Sequence, residues 1–391
     1  MHILLLVLLP ALVVTALTSS LLLYKMVIPP KAYARTIKIY KSTVLTEDLG
    51  PFIETGLEIC ADNIVLDGAG HKIIGMGDGR EQWGIYIDGK VNVTIKNVEV
   101  YGFQINIYVS GSYNIRVLNC TVHHNFPDGR AREGFYGIES KNSYNTLFMN
   151  NTIEYISDEG IHFSGSFGNE TFMKNIVRYC QKEGVYLLES VGVRVLNNTF
   201  INCNPGIYCK SSGHLIANNT LINSSIQIRF PYASGNEVVG NILYGGVIRL
   251  EEGTNNNTVY RNEIQSSSTG IYLYGAENNI IHHNKINVTG IYGICIRGKD
   301  VYSSRRNHIY ENTLIGNATY GIFIQSGSLE NEIYGNIVAN KGDYGIYINE
   351  DADSNVLYQN VARKHAIYDI YDWSKGARNN WYNNEYDKRN W

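Results

Sequence analysis

The chain has 391 residues and a formal net charge of −3, and only 18% of its residues are charged. A balance so near neutral excludes a general electrostatic role on nucleic acid, which needs a basic face. Gly (38) and Tyr (30) are plentiful while Pro (7) is rare, a composition that suits many short strands joined by tight turns.

The N-terminus is an almost wholly apolar run from Ile3 to Leu23, interrupted by Pro10, Thr15, Thr18, Ser19 and Ser20. About 20 apolar residues span a bilayer as a helix. Ala32-Tyr33-Ala34 offers a small-x-small cleavage site before Arg35. No Lys or Arg precedes the run, whereas Lys25, Lys31 and Arg35 follow it, an unusual order for an exported body. Residues 1–34 therefore read as a signal peptide or, uncleaved, as a membrane anchor, and residues 35–62 as an N-terminal cap or linker. Either way the remainder is expected to be secreted or held on the extracytoplasmic face. Glycosylation sequons agree with export, at Asn92, Asn119, Asn150, Asn169, Asn197, Asn218, Asn223, Asn256, Asn287 and Asn317. A chain this rich in Asn and Thr also makes sequons by chance.

From residue 63 onward a repeat takes over. An asparagine returns about every 23 residues, at Asn97, Asn151, Asn175, Asn198, Asn219, Asn241, Asn262, Asn284, Asn312, Asn336, Asn360 and Asn384, with Cys120 filling one place in the series. Two steps are long: 31 residues from Cys120 to Asn151 and 28 from Asn284 to Asn312. A short fixed period marks units that bury their apolar faces only against their neighbours. Each period holds two apolar segments. The first reads Gly-apolar-x-apolar, as in Gly184-Val185-Tyr186-Leu187 or Gly345-Ile346-Tyr347-Ile348, which is the alternation of a half-buried strand. The second carries the asparagine, as in Ile333-Tyr334-Gly335-Asn336-Ile337. Parallel stacking with right-handed crossovers gives an all-β fold. Residues 63–391 form a right-handed parallel β-helix of about thirteen coils and about 60 Å, preceded by the N-terminal hydrophobic helix. The asparagines then stand above one another at a turn, each amide donating to the next carbonyl.

On these residues the chain resembles the NosD-like and carbohydrate-binding/sugar-hydrolase group of right-handed β-helix proteins. Val65-Leu66-Asp67-Gly68-Ala69-Gly70-His71-Lys72-Ile73 opens the helix, the Gly-Ile-Tyr-Ile and Asn-x-Ile repeats fill it, and Asn380-Trp381-Tyr382-Asn383-Asn384-Glu385-Tyr386-Asp387 closes it. The resemblance covers roughly residues 55–390. It implies the fold and a sugar polymer as partner, but no one activity, since that group holds polysaccharide lyases, hydrolases, epimerases and surface proteins alike.

The residue between the two apolar positions of the first strand points outward. Coil by coil it is Tyr86, Glu139, His162, Tyr186, Tyr208, Gln227, Arg249, Tyr272, Cys295, Phe323 and Tyr347. Tyr186, Tyr208, Arg249, Tyr272, Phe323 and Tyr347 are the candidate carbohydrate-binding residues of this stripe. The competing reading is that the rings stack on one another and stabilise the sheet. Candidate catalytic residues gather near the insertion Phe126–Glu133, where Glu139, Asp158, Glu159 and His162 meet Glu183 from the next coil. Neighbouring carboxylates can serve as a glycosidase pair or hold Ca²⁺; His162 with Arg130 or Arg132 suits proton abstraction beside a sugar carboxylate. Ordinary charges on a solvated turn are the plainer alternative.

Metal sites are not expected. His123-His124 and His282-His283 lie about seven coils, roughly 34 Å, apart and cannot share an ion. Asp351-Ala352-Asp353-Ser354-Asn355 lacks the glycine and distal Glu of a calcium loop. No cofactor is expected beyond the Ca²⁺ that Glu159 and Glu183 would allow. Cys180 and Cys203 occupy equivalent places in adjacent coils, as a disulfide or as stacked thiols. The leading expectation is an extracytoplasmic rod that binds a polysaccharide or cell-surface glycan. A non-catalytic adhesive rod that binds protein, and a lyase or hydrolase centred on residues 126–183, stand beside it.

Overall fold

The computed structural model describes residues 35–76, 82–124, 135–298, 301–339 and 341–391. The apolar run within 1–34 and the insertion Phe126–Glu133 lie outside the described residues, as do Lys299 and Asp300. Among the described residues no helix is long and apolar enough to cross a membrane.

The strands form three long parallel sheets of 15, 15 and 14 members, and the chain visits each once per coil. Ile37–Ile39, Thr43–Val44 and Leu49–Phe52 start the first, second and third sheets. Residues 35–62, expected as a cap or linker, therefore already belong to the rod: Ile37–Ile39 pairs with Leu57–Ile59. The rod begins before the first asparagine of the repeat, so its coils outnumber the thirteen counted from that series.

Two side-chain periodicities fill the interior. Strands of the second and third sheets bury their middle residue, as Val195 between Arg194 and Leu196 or Phe200 between Thr199 and Ile201. First-sheet strands bury both apolar residues of the Gly-apolar-x-apolar motif, so Ile161, Val185 and Ile207 form one column and Phe163, Leu187 and Cys209 another. The motif's glycine is forced by space. A Cβ on Gly184 would lie 2.5 Å from the Gly206 carbonyl oxygen and 2.8 Å from the Phe200 ring.

The second and third sheets are joined by a two-residue turn. Its first residue is left-handed, with φ between 52° and 57° at Asn119, Asn150, Lys174, Asn197, Asn218, Arg261 and Glu311. Asn occupies that conformation more readily than other side-chain-bearing residues. The second residue is the buried ladder asparagine. The Oδ1 of Asn219 accepts from the backbone N–H of Asn198 at 2.9 Å and from its Nδ2 at 3.0 Å. The Nδ2 of Asn219 donates to the Val195 carbonyl and to Oδ1 of Asn241, both at 2.9 Å. The same pattern runs from Asn151 to Asn384. Asn97 is a register error in the sequence reading. It occupies the outer, left-handed position (φ 53°), and its Oδ1 accepts from Asn119 at 3.4 Å. The ladder position in that coil is Val98, which is buried. Cys120 is in the ladder column, and its N–H donates to Asn151 Oδ1 at 2.9 Å, so the ladder ends there.

A second ladder escaped the sequence reading. At the turn from the first to the second sheet, Asn236, Asn257, Asn279, Asn307, Asn331, Asn355 and Asn379 bond in series, each step at 2.9–3.1 Å. His214 starts it: its N–H donates to Asn236 Oδ1 at 2.9 Å and its Nδ1 accepts from the Val193 N–H at 3.1 Å. Asn355 belongs here, so the Asp351–Asn355 segment is a turn, as expected. At the C-terminal end Trp381 packs against Trp391 at 5.2 Å and donates Nε1–H to Asp372 at 2.8 Å. Trp373 is 54% exposed and closes nothing.

Candidate functional site

The candidate residues gather on and beside the outer face of the first sheet. Strand register stacks Tyr86, Tyr108, Glu139, His162, Tyr186, Tyr208, Gln227, Arg249, Tyr272, Cys295, Phe323, Tyr347 and Tyr371 in one row. The sequence reading named eleven of these and missed Tyr108 and Tyr371, whose coils lack the Gly-apolar-x-apolar spelling. It also missed a second row: Trp83, Tyr136, Tyr292, Tyr320, Tyr344 and Tyr368. Most of these stand directly before the motif glycine, so the signal was present.

The rings mainly stack on one another. Tyr186 and Tyr208 lie 5.5 Å apart at 13°, and Tyr347 and Tyr371 lie 4.5 Å apart at 7°. Where rings stack along the rod, as in these two pairs, the facing sides are taken up by the neighbouring coil. Tyr208 and Phe323 are buried, at 8% and 6% exposure, and Cys295 is buried too. Tyr292 and Tyr320 cover Phe323 at 5.0 and 4.7 Å. Arg249 is held by Glu251 at 3.2 Å and lies over the Tyr272 ring at 5.6 Å. Of the six predicted binding residues, Tyr186, Arg249, Tyr272 and Tyr347 reach the surface.

Two features break the stack. The first is a carboxylate cluster. Glu139, His162 and Tyr186 are successive row members, and Gly160 N–H bonds the Glu183 carbonyl at 2.8 Å, which makes Glu159 and Glu183 neighbours on adjacent coils. Asp158 and Glu159 are buried, and Lys182 reaches Asp158 at 2.6 Å. Burial, reinforced by Asp158, lifts the Glu159 carboxyl to about 8, so it holds its proton at neutral pH. Burial also raises Glu139 and Glu183, lifts the Tyr136 hydroxyl to about 12 and lowers His162 to about 4. Among the described residues neither ring nitrogen of His162 has a hydrogen-bond partner. A protonated carboxyl, a carboxylate and a neutral imidazole within two coils can donate and accept protons at one place.

The second feature is a groove of about 480 Å³ lined by Leu188, Glu189, Val191, Lys210, Phe230 and Tyr232 among others. Lys210 Nζ lies 5.3, 5.0 and 5.0 Å from the rings of Tyr186, Tyr208 and Phe230. Phe230 is left-handed at φ 81°, a strained conformation for a bulky residue, and Tyr232 is 82% exposed. The sequence carries no signal for the groove, because Phe230-Pro231-Tyr232 is a turn outside the repeat pattern.

All six cysteines are free, and Cys180 and Cys203 are stacked, buried thiols. His123 bonds Glu99 at 3.1 Å and stacks on Tyr101 at 4.6 Å. Among the described residues no three His, Cys, Asp or Glu side chains converge on a metal position, and Glu159 and Glu183 lack the third ligand that Ca²⁺ would require. The sequon asparagines are exposed except Asn287. Several are already engaged through Nδ2, as Asn223 is to Asn202 at 3.1 Å.

The sequence pattern of the right handed beta helix region family matches residues 63–226 and 184–302. The chain belongs to that family. Residues 251–390 match the pattern of the periplasmic copper-binding protein NosD. The copper of that description finds no set of three ligands among the described residues. No curated protein matches the chain. Among solved structures, the Dettilon tailspike protein is similar at 16% identity and TM-score 0.42, over 81% of this chain and 61% of its own. The periplasmic alginate epimerase AlgG is similar at 13% and 0.40, over 92% and 79%. The surface protein and adhesin PfbA of Streptococcus pneumoniae is similar at 15% and 0.39, over 83% and 89%. At these identities the likeness is one of fold.

Proposed function

We propose that the protein is an extracytoplasmic rod that binds a polysaccharide lengthwise on the outer face of the first sheet. One observation carries this reading. On and beside one sheet, over consecutive coils, lie Glu139, the Asp158–Glu159–Glu183 cluster, Tyr186, Lys210 and an open groove ending at the exposed Tyr232. Such a surface offers hydrogen-bonding groups, a cation and a free ring to successive units of a polymer, in a cavity of ordinary ligand size. The NosD match, whose description is periplasmic, and the apolar N-terminal run both support an extracytoplasmic location. Glycan-array binding tests it, with Tyr232→Ala as the informative variant: the exposed ring leaves the fold untouched and its loss weakens binding. An array without a single bound glycan would sink the proposal and favour the adhesive rod.

Hydrolysis or elimination at the cluster is a second reading, favoured by the proton held on Glu159. In hydrolysis Glu159 protonates the leaving oxygen, the glycosidic C–O bond breaks, and a carboxylate of the cluster takes the proton of the attacking water. Incubating wild type and Glu159→Gln with the array's bound glycan, followed by chain length, tests it. Unchanged chain length with wild type leaves binding alone.

A further inference from the structure

We infer that the groove at Lys210 selects an acidic sugar unit, its carboxylate meeting the Lys210 ammonium while the apolar face of the ring rests on Phe230 and Tyr232. The inference deepens the glycan-binding reading above and rests on it. Three observations carry it.

The first is charge. The neighbouring cations are neutralised: Lys182 by Asp158 at 2.6 Å, and Arg229 by a two-pronged contact with Glu252 at 2.6 and 2.5 Å. Among the described residues no carboxylate pairs directly with Lys210, and Glu183 acts on it only through its field. The Lys210 ammonium lies among three aromatic rings, which attract a cation, and beside the Tyr186 hydroxyl, which leaves N–H donors for a further acceptor. Glu189 also lines the groove, where its side-chain oxygens can accept from sugar hydroxyls.

The second is shape. The groove, about 480 Å³, falls within the range of small-ligand sites and is mostly apolar around the one cation. A low-dielectric wall strengthens a charge-assisted bond formed inside it.

The third is the turn. Phe230 is held left-handed at φ 81°, with its N–H on the Glu251 carbonyl at 3.3 Å and its own carbonyl accepting from Ala233 at 3.0 Å. That conformation swings the ring over Lys210 and leaves Tyr232 projecting beside it. Rings such as Tyr186 and Tyr208 are stacked on one another, whereas Tyr232 stands 82% exposed and packs on no other described ring.

Isothermal titration calorimetry of the whole chain with oligogalacturonate, oligomannuronate and hyaluronan fragments, each beside its methyl ester, tests the inference. At least one acid form is expected to bind, and its methyl ester, equal in shape but uncharged, to bind about tenfold or more weakly. Lys210→Met keeps the stem in its ring cage and should equalise acid and ester. Tyr232→Ala should weaken both forms by a similar factor. Raising salt from 50 to 500 mM should weaken only the acid form. Equal binding of acid and ester by the wild type overturns the inference while leaving glycan binding in place. So does an acid preference that survives Lys210→Met. Binding of neutral glycans on an array, with none of the three acids bound, likewise overturns it alone. Absence of binding to every glycan overturns both readings together.

Discussion

Replacing Asn219 by Ala tests whether the ladder stabilises the rod or merely accompanies it. The side chain is fully buried and makes four hydrogen bonds. Some partners keep an alternative: Asn198 Nδ2 still donates to the Phe172 carbonyl at 2.9 Å, and Asn241 Oδ1 still accepts from the residue 219 N–H at 2.9 Å. The Asn198 N–H keeps none. An orphaned buried donor costs about 1–3 kcal/mol, and each other lost bond about 0.5–1.5 kcal/mol net. The sum is about 2.5–7.5 kcal/mol, at the upper end for a single substitution. Because each coil touches only its neighbours, the loss should be local. Native-state hydrogen exchange reads this directly. The opening free energy at the Asn198 amide should fall by at least about 2 kcal/mol, while amides near Asn336 stay unchanged. A fall under 1 kcal/mol at Asn198, or a uniform fall along the rod, would refute the reasoning.

Three further substitutions follow from buried groups. Glu170, fully buried with Ser140 and Thr146 donating to it at 2.9 Å, has its carboxyl raised by burial to about 7. The folded state therefore binds a proton that the unfolded chain has released above 4.5, and stability should fall by up to about 3 kcal/mol as pH rises from 4.5 to 7. Urea titrations across that window should show the slope in wild type and its loss in Glu170→Gln. His214 is the opposite case: burial depresses its imidazole to about 3, so only the unfolded chain takes a proton as pH drops below 6.5. Stability should decline from pH 6.5 toward 3, by about 2–4 kcal/mol. His214→Asn should keep the fold, extend the second ladder by one rung and remove that decline. A persisting decline would assign it to other groups. Gly184→Ala brings a Cβ to 2.5 Å from the Gly206 carbonyl, and thermal melts should show a loss of about 2 kcal/mol or more; a neutral outcome would mean that the coils separate freely.

The fold was legible because the period is written in residues with one structural use. Buried asparagines, motif glycines and alternating apolar residues each report a position in the coil, and together they fixed sheet, face and hand. Asn97 misled because Asn serves two adjacent positions in the turn: the left-handed residue, where it relieves strain, and the ladder residue, where it bonds. The second ladder hid for the same reason, since Asn256 and Asn257 or Asn278 and Asn279 blur the register. The candidate site was legible in part. Register alone put Glu139, His162 and Tyr186 on one row. It could not show that Phe323 is covered, because the covering rings Tyr292 and Tyr320 arrive from the residue before the motif glycine, nor that Tyr208 is enclosed by Tyr186, Lys210 and Arg229. Nor could it reveal the groove, whose turn at Phe230 follows no repeat rule.

The two ladders do not run together along the whole rod, and the gap between them coincides with the candidate carboxylate cluster. The first starts at Cys120, where Asn151 takes its N–H, and the second only at His214. Between those points, the second-ladder position is filled by Thr146, Glu170 and Val193. There the interior polarity is carried by a buried acid and hydroxyls rather than by self-complementary amides. An amide ladder satisfies each donor with an identical neighbour at little cost, so a coil that abandons it must satisfy its backbone in some other way. The same coils hold Asp158, Glu159, Glu183 and His162 on the outside and flank the insertion Phe126–Glu133. A repeat sequence departs from its own local rule mainly where another demand competes with it. The overlap of an interrupted ladder, buried carboxyls on both sides of the sheet and residues beyond the repeat length places that competing demand in the coils from Cys120 to His214.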